Sequence, residues 1–581
     1  MRFFDYEIEH RARYPWQFVQ GKTCTLCLRC NEPVLKISVL HGDPFWFAEG
    51  KKKEPVLEET ELAAKQILLD DTFYFVTIPM RTHKLRYHFE ITLCDGTKLM
   101  LSELGVTDKL SEQQLRPFMV PYVFEREHYD APDWAKSFVW YQIFPDRFAG
   151  EGDPAAFVPT RDNFFGGTLK GIPEKIPYLK ELGVQGVYLN PIFQSPSNHR
   201  YDTADYARID PLLGDEEDFR LLVNSLHEAG LRIMLDGVFN HCAWDHPFWQ
   251  DVLCNGESSP YFDWFYIEDI HALAGAEKEK FSPEIIRREH PFACFAFAAN
   301  MPKWNTENEP VMDYLIGQAE RWTRDYQIDA WRLDVPDEIS MRFLREFRRR
   351  IRAVSDRVYI IGEIWQDAGL WLGNSVFAGA MDYPLYYAIR DFAMTGQDDL
   401  AAFARRIQRW YLSAPEEVRP YQWAFCSNHD IPRLLTECGG DAERVRLALF
   451  LTAVLGGNMS VYYGDERGME GGDDPDNRRA MAWSHCNQDI YEFYRQLIRL
   501  KTATLQELKL TRVMQRDHLS LYLKAKNGRD LLAVIARPAE NVLLTGASQF
   551  LPVFGQAENT DYGITVNGFA LLERNTADQT C

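Results

Sequence analysis

The stretch that decides the fold is Ile328-Asp329-Ala330-Trp331-Arg332-Leu333-Asp334, followed by Val335-Pro336. Its apolar residues read as a short buried strand. In an extended strand residues i and i+2 share a face, so Arg332 and Asp334 point the same way and can make a charge-assisted contact. Proline cannot continue a central strand, so the run ends at Val335-Pro336. Asp334 then sits at the carboxyl end of a buried strand, where a barrel enzyme places its chemistry. Taken alone, the stretch fits a structural ion pair at a strand end equally well.

Seven more runs of the same kind flank it: Phe138–Phe144, Gly186–Pro191, Leu231–Phe239, Val358–Trp365, Val376–Tyr383, Trp423–Ser427 and Met459–Tyr463. Helical patterns separate most of them, such as Asp215–Ala229 with Gly230 as its stop, Met341–Val354 and Arg444–Leu455. Eight strand–helix units predict an α/β fold, a (β/α)8 TIM barrel over residues 133–502. Residues 242–309 are too long for a plain loop and read as a subdomain inserted after the third strand. Before the barrel, short strands predict an N-terminal β-sandwich over 1–125: Thr23–Leu28, Leu35–Leu40, Phe73–Ile78, Tyr87–Leu93 and Leu99–Ser102, the last two joined by an Asp95-Gly96 hairpin signal. Tyr122–Pro132 reads as the linker. After the barrel, Leu519–Lys524, Leu531–Ile535, Asn541–Leu544 and Ile564–Leu572 predict a C-terminal all-β domain over 503–581.

Composition narrows the function classes. A chain of 581 residues is too long for one core. A net charge of -21 argues against a nucleic-acid partner, which needs a basic surface, and is compatible with a neutral substrate. The N-terminus lacks a continuous apolar segment, which predicts no signal peptide, and no run of 18 apolar residues predicts a membrane span. The 11 cysteines are an odd number without framework spacing, which points to a reducing, cytoplasmic setting. Cys24, Cys27 and Cys30 fall in a predicted strand, where Cys27 points away from the other two, so they make a poor metal site.

Polar residues collect at the ends of four barrel runs: Asp236-Gly237-Val238-Phe239-Asn240-His241, Arg332-Leu333-Asp334, Gly362-Glu363-Ile364-Trp365 and Ser427-Asn428-His429-Asp430. All should converge on one rim. Buried carboxylates need a reason, and two converging carboxylic groups suit glycosidic bond cleavage. Arg332 favours an ionised Asp334, the nucleophile of a retaining mechanism. The apolar neighbours of Glu363 favour its neutral form, the acid/base.

These four motifs, in this order and at these intervals, resemble the conserved regions of the α-amylase family of glycoside hydrolases. Met301-Pro302-Lys303-Trp304-Asn305 resembles the fifth motif of its cyclomaltodextrinase, neopullulanase and maltogenic amylase subgroup. The resemblance covers essentially the whole chain. It implies retaining hydrolysis of α-1,4-glucosidic bonds in cyclodextrins, pullulan and short maltooligosaccharides, with transglycosylation, and a homodimer in which one N-terminal domain roofs the partner's cleft. It implies Asp334 as nucleophile, Glu363 as acid/base and Asp430 as the third carboxylate. Arg332, His241 and His429 would bind the attacked glucosyl unit and Tyr201 would stack on it. Asp474 and Arg478 would hold the sugar farther from the cut, and Trp365, Phe295 and Tyr383 would line the cleft. No cofactor is implied.

The chain also departs from its relatives. Many carry calcium ligands in stretches that read here Phe148-Ala149-Gly150-Glu151-Gly152-Asp153 and Gly166-Gly167-Thr168. Calcium takes six or more oxygen ligands, and these stretches offer few, which predicts no calcium there. Val335-Pro336-Asp337-Glu338 stands where relatives usually have Ala-Asn, and Trp304 replaces a common Leu; both changes bear on which glucans fit. A debranching or mainly transglycosylating enzyme on the same scaffold is the alternative. A non-enzymatic glucan binder should lack one of the three carboxylates, and none is missing.

Overall fold

The computed structural model describes residues 6–575 except 50–54, 109–114, 125–127, 151, 274, 276, 374–375, 538–539, 546 and 548. Part of the predicted linker (125–127) and Glu151 of the quoted loop therefore lie outside the described residues.

All eight predicted barrel runs contain a strand. These are β1 (Val139–Ile143), β2 (Gly186–Leu189), β3 (Arg232–Gly237), β4 (Ala330–Leu333), β5 (Tyr359–Gly362), β6 (Gly379–Ala380), β7 (Trp423–Phe425) and β8 (Asn458–Tyr462). Each pairs in parallel with its neighbour in sequence, and β8 pairs with β1. A single parallel bridge, Met381 to Trp423, closes the ring between β6 and β7. The strands are buried on both faces, which is why they read as continuous apolar runs rather than alternating ones. Register matters for the site: Asp236 of β3 stands opposite Arg332 of β4, and Leu333 opposite Gly362 of β5.

The crossover helices follow their local signals. Glu216–Glu228 starts at Asp215, whose side chain accepts from the Glu217 and Asp218 amides, and it stops before Gly230 at φ +75°. Met341–Val354 is capped by Ser340. Ala442–Leu455 begins two residues before the predicted start, because Asp441 caps it.

The N-terminal strands form two sheets around their own core. The Asp95-Gly96 turn joins Leu85–Leu93 to Lys98–Ser102 as predicted, with Gly96 at φ +85°. Cys24 and Cys30 belong to this core, while Cys27 packs with the barrel side, so the three cysteines do alternate. The C-terminal strands form the expected strand-rich unit, and they also join the N-terminal part: Ala64–Leu68 pairs in parallel with Lys509–Gln515, through Ile67 to Arg512 and Leu68 to Val513, and one 11-stranded sheet runs through both ends of the chain. Lys509–Gln515 and Phe550–Thr560 carry no strong local strand signal; pairing partners define them.

The described residues of 242–309 include the helices Pro247–Asn255, Ile270–Leu273 and Pro283–Glu289, and a buried aromatic group that includes Trp249, Phe265, Phe292 and Trp304. Among the described residues no helix is long and apolar enough to cross a membrane.

Candidate active site

The polar ends of β3, β4, β5 and β7 meet at one end of the barrel, and Arg332 is the hub. Its Nη1 donates to Asp236 Oδ1 at 2.7 Å and to Asp334 Oδ1 at 2.8 Å. Its Nη2 makes an ion-pair contact with Glu363 Oε2 at 2.7 Å. Arg332 therefore does not serve Asp334 alone, as its place two residues upstream suggested. One guanidinium faces three buried carboxyl groups, so it cannot balance all three as anions, and the cluster holds at least one proton. Burial, with Glu363 and Asp236 adding to it, pushes the Asp334 carboxyl well above its ordinary value, while Arg332 pulls the other way. Burial also pushes Asp236 up, against Arg332 and its hydroxyl donors.

A second ring of side chains fixes this hub. Tyr188 and Tyr201 hydroxyls donate to Asp236 Oδ2 at 2.6 and 2.8 Å. Asn190 Nδ2 donates to the Tyr201 oxygen at 2.9 Å, and His429 Nε2 lies 2.6 Å from it. Gln142 Nε2 donates to His429 Nδ1 at 2.9 Å, which leaves the His429 proton on Nε2, facing Tyr201 and Asp430. Burial, with Arg478 and Arg332 nearby, pushes His429 well below its ordinary value, so it is neutral. Burial likewise pushes His241 down to about 3. Its Nε2 meets the Tyr201 carbonyl at 3.1 Å, and its ring stacks on Phe295 with centroids 4.9 Å apart.

Asp430 lies 3.1 Å from His429 Nε2 and 3.4 Å from Arg478 Nη2. Burial raises its carboxyl, while Arg478, Arg332 and a hydrogen bond with Glu363 lower it. Arg478 also pairs with Asp474 at 3.0 Å. Trp365 Nε1 donates to Glu363 Oε1 at 3.1 Å, and the half-exposed Trp365 ring stacks on Tyr383 at 4.3 Å. Tyr383 in turn accepts from Asn428 at 3.1 Å. All twelve residues singled out in the sequence are thus linked in one network.

The network contains members that the sequence did not single out. Asp236 lies in a quoted motif, and its register opposite Arg332 is the signal that marks it. Tyr188, Gln142 and Asn190 enter only through contacts. Val335, directly after Asp334, is in the left-handed region at φ 43°, which a β-branched residue rarely adopts, and its N–H faces Glu363 Oε2 at 3.4 Å. This ends β4 at Leu333, two residues before the predicted end.

Lys303 ties three segments together. Its ammonium contacts the Asn240 side-chain oxygen, the Glu338 carbonyl at 2.8 Å and Glu338 Oε2 at 2.9 Å. His241 and Lys303 also form an antiparallel bridge, so the exit of the insert is stitched to the end of β3. Trp304 is fully buried and donates to the Tyr206 hydroxyl at 3.2 Å; it braces the insert rather than facing a ligand. In the loop after β1, Asp146 accepts from the Phe165 and Gly166 amides at 2.9 and 3.2 Å, so hydrogen bonds occupy its oxygens. Among the described residues no group of three or more His, Cys, Asp or Glu side chains could hold a metal.

Removing the Lys303 charge strands oxygens that it now satisfies. Lys303→Met should lower stability by about 1–2 kcal/mol and speed proteolysis within residues 242–309, read by thermal unfolding and limited digestion; an unchanged melting curve would show that the clamp carries no strain.

Comparison with known proteins gives the family. The α-amylase catalytic-domain family model matches residues 142–518, and the α-amylase N-terminal ig-like domain matches residues 6–124. The chain is 39% identical over 512 residues to a cyclomaltodextrinase of Geobacillus thermopakistaniensis, covering 85% of this chain and 84% of that one. It is 37% identical over 485 residues to neopullulanase 2 of Thermoactinomyces vulgaris, covering 81% and 79%. A solved cyclomaltodextrinase superposes with a TM-score of 0.84 at 28% identity, covering 99% of this chain and 100% of that one. With its barrel, its N-terminal domain and its ring of carboxylates accounted for, the chain belongs to the α-amylase family of glycoside hydrolases.

Proposed function

We propose that this enzyme cleaves α-1,4-glucosidic bonds in cyclodextrins, pullulan and short maltooligosaccharides with retention of configuration, and transfers glucosyl units to sugar acceptors as a side reaction. The observation that carries the reading is Arg332 in contact with both Asp334 and Glu363. One guanidinium keeps the two carboxyl groups close together, the spacing that favours direct attack over an intervening water. The substrate classes are those named by the cyclomaltodextrinase and neopullulanase relatives.

In this reading the Asp334 carboxylate attacks the anomeric carbon while Glu363 gives its proton to the departing glycosidic oxygen. A covalent glycosyl–enzyme forms. Glu363, now a carboxylate, takes a proton from water, whose oxygen attacks the same carbon and releases Asp334. Substrate entry displaces Asp430 from Glu363 and lets it bind sugar hydroxyls. Arg332, His241, His429 and Tyr201 hold the attacked glucosyl unit, with Asp474 and Arg478 on the next. The stacked Trp365 and Tyr383 rings, with Phe295 across from them, offer apolar faces to the leaving sugars. Neutral histidines suit this task, because they bind hydroxyls without competing for the Arg332 partners. The free cysteines among the described residues support a reducing, cytoplasmic setting.

Asp334→Ala and Glu363→Gln should each lower turnover by about three orders of magnitude, and NMR should find the α-anomer as the first product of the native enzyme. Near-native turnover in either folded variant, or a β-anomer formed first, would remove the assignment. The nucleophile must be anionic and its pKa is raised. Acidification should therefore reduce kcat/KM at a pH well above about 4, the ordinary carboxylate value; a profile flat down to that value would contradict the shared-proton cluster. We also propose a homodimer, and light scattering should return twice the chain mass.

A further inference from the structure

The segment that carries His429 and Asp430 is fixed from the end of the neighbouring strand, by groups outside the cluster around Arg332. Asp465 follows closely on the end of β8. Its Oδ2 accepts from the Ser427 hydroxyl and faces the Leu434 amide at 3.5 Å, and its Oδ1 accepts from Arg433 Nη1 at 2.9 Å. Ser427 and Arg433 stand three residues before and three residues after Asp430. One buried carboxyl group therefore ties down both ends of the segment whose midpoint is Asp430. Gly464, at φ +86°, lets the chain turn sharply enough after β8 to present Asp465 there. The same stretch of chain supports the middle. Asn477 Nδ2 donates to the Asn428 and Ile431 carbonyls at 3.4 and 2.9 Å, and Arg478 Nε donates to the His429 carbonyl at 2.9 Å.

Stability alone is a poor reason for this construction. Arg433 and Asp465 are both buried. Arg433 Nη1 also donates to the Tyr463 carbonyl at 2.7 Å, and its guanidinium lies over the Tyr462 and Tyr463 rings, 4.6 and 4.8 Å from their centroids. Desolvating two charges offsets most of their attraction, so such a pair adds little over an apolar one of the same shape. What it does supply is direction, because a hydrogen bond is strong only near one distance and angle. Direction matters at Asp430. Its carboxyl lies against His429, Arg478 and Glu363 and, in the reaction proposed above, leaves Glu363 for sugar hydroxyls. A side chain that rotates between two sets of partners needs a backbone that does not move with it.

We infer that Asp465 is a positioning residue for Asp430: by holding Ser427 and Arg433 it fixes the backbone from which the third carboxylate reaches the substrate. The inference rests on the role given to Asp430 above. Asp465→Ala and the isosteric Asp465→Asn test it, each made in the native chain and in Asp430→Asn, with maltotriose as substrate. In the native chain each should lower kcat by about ten- to hundredfold with KM nearly unchanged, the mark of an interaction lost in the transition state. In the Asp430→Asn background the same changes should lower kcat further by less than about twofold, because the group that Asp465 positions is already altered. An equal loss in both backgrounds, the result of partial unfolding or of damage elsewhere, would overturn the inference, as would native kcat in every Asp465 variant that folds. Asp465→Asn keeps the shape of the side chain, so it decides the question where alanine does not fold. Native kcat in Asp430→Asn itself would instead overturn the reading of Asp430, so the two failures are distinct.

Discussion

The site depends on one constraint: a single buried guanidinium must satisfy Asp236, Asp334 and Glu363 at once. Three anions around one cation in a dry site repel one another more than the cation can offset, so protons are shared and side chains are held tightly. Everything adjacent serves that arrangement. Tyr188 and Tyr201 stabilise Asp236 from the far side, and His429 and Gln142 hold Tyr201 in place. Asp236, fully buried behind the arginine, thereby helps set the position of the group that contacts both Asp334 and Glu363.

Barrel register supplies the precision. Because Asp236 and Arg332 are partners across β3 and β4, their contact needs no long reach and tolerates no slip. A one-residue shift would turn Arg332 out of the cluster. The strained Val335 has the same origin. The chain must leave β4 abruptly so that Asp334 faces the cleft while the Val335 amide faces Glu363, and the left-handed turn does both. The cost, about 1–3 kcal/mol for such a residue, is sustained by the Lys303–Glu338 contact and the surrounding barrel.

The outlying parts are bound to the barrel by pairing rather than by loose docking. The insert is stitched to β3 through His241 and Lys303. The first and last parts of the chain share a sheet, where Gln66 Nε2 also donates to Glu416 at 2.7 Å and Gln408 Nε2 to Asp71 at 2.8 Å. The N-terminal domain is therefore held against both the barrel and the C-terminal strands.

The amino-acid sequence by itself determined the local pieces. Apolar runs at strand length, caps such as Asp215 and Ser340, and the Asp95-Gly96 turn depend on neighbours a few residues apart, so the barrel order and the rim on which the carboxylates sit were legible. The carboxyl groups proposed to react could be picked out too, because barrel strands deliver their terminal residues to one end. Tertiary structure decided the rest. Arg332 looked like the partner of Asp334 because they are two residues apart, yet its contact with Asp236 spans 96 residues. The pairing of Ala64–Leu68 with Lys509–Gln515 spans far more, and the apolar setting read around Glu363 omitted an arginine that arrives from another strand. Electrostatics at a buried site is set by what packs against each charge from across the fold, and local sequence does not contain that information.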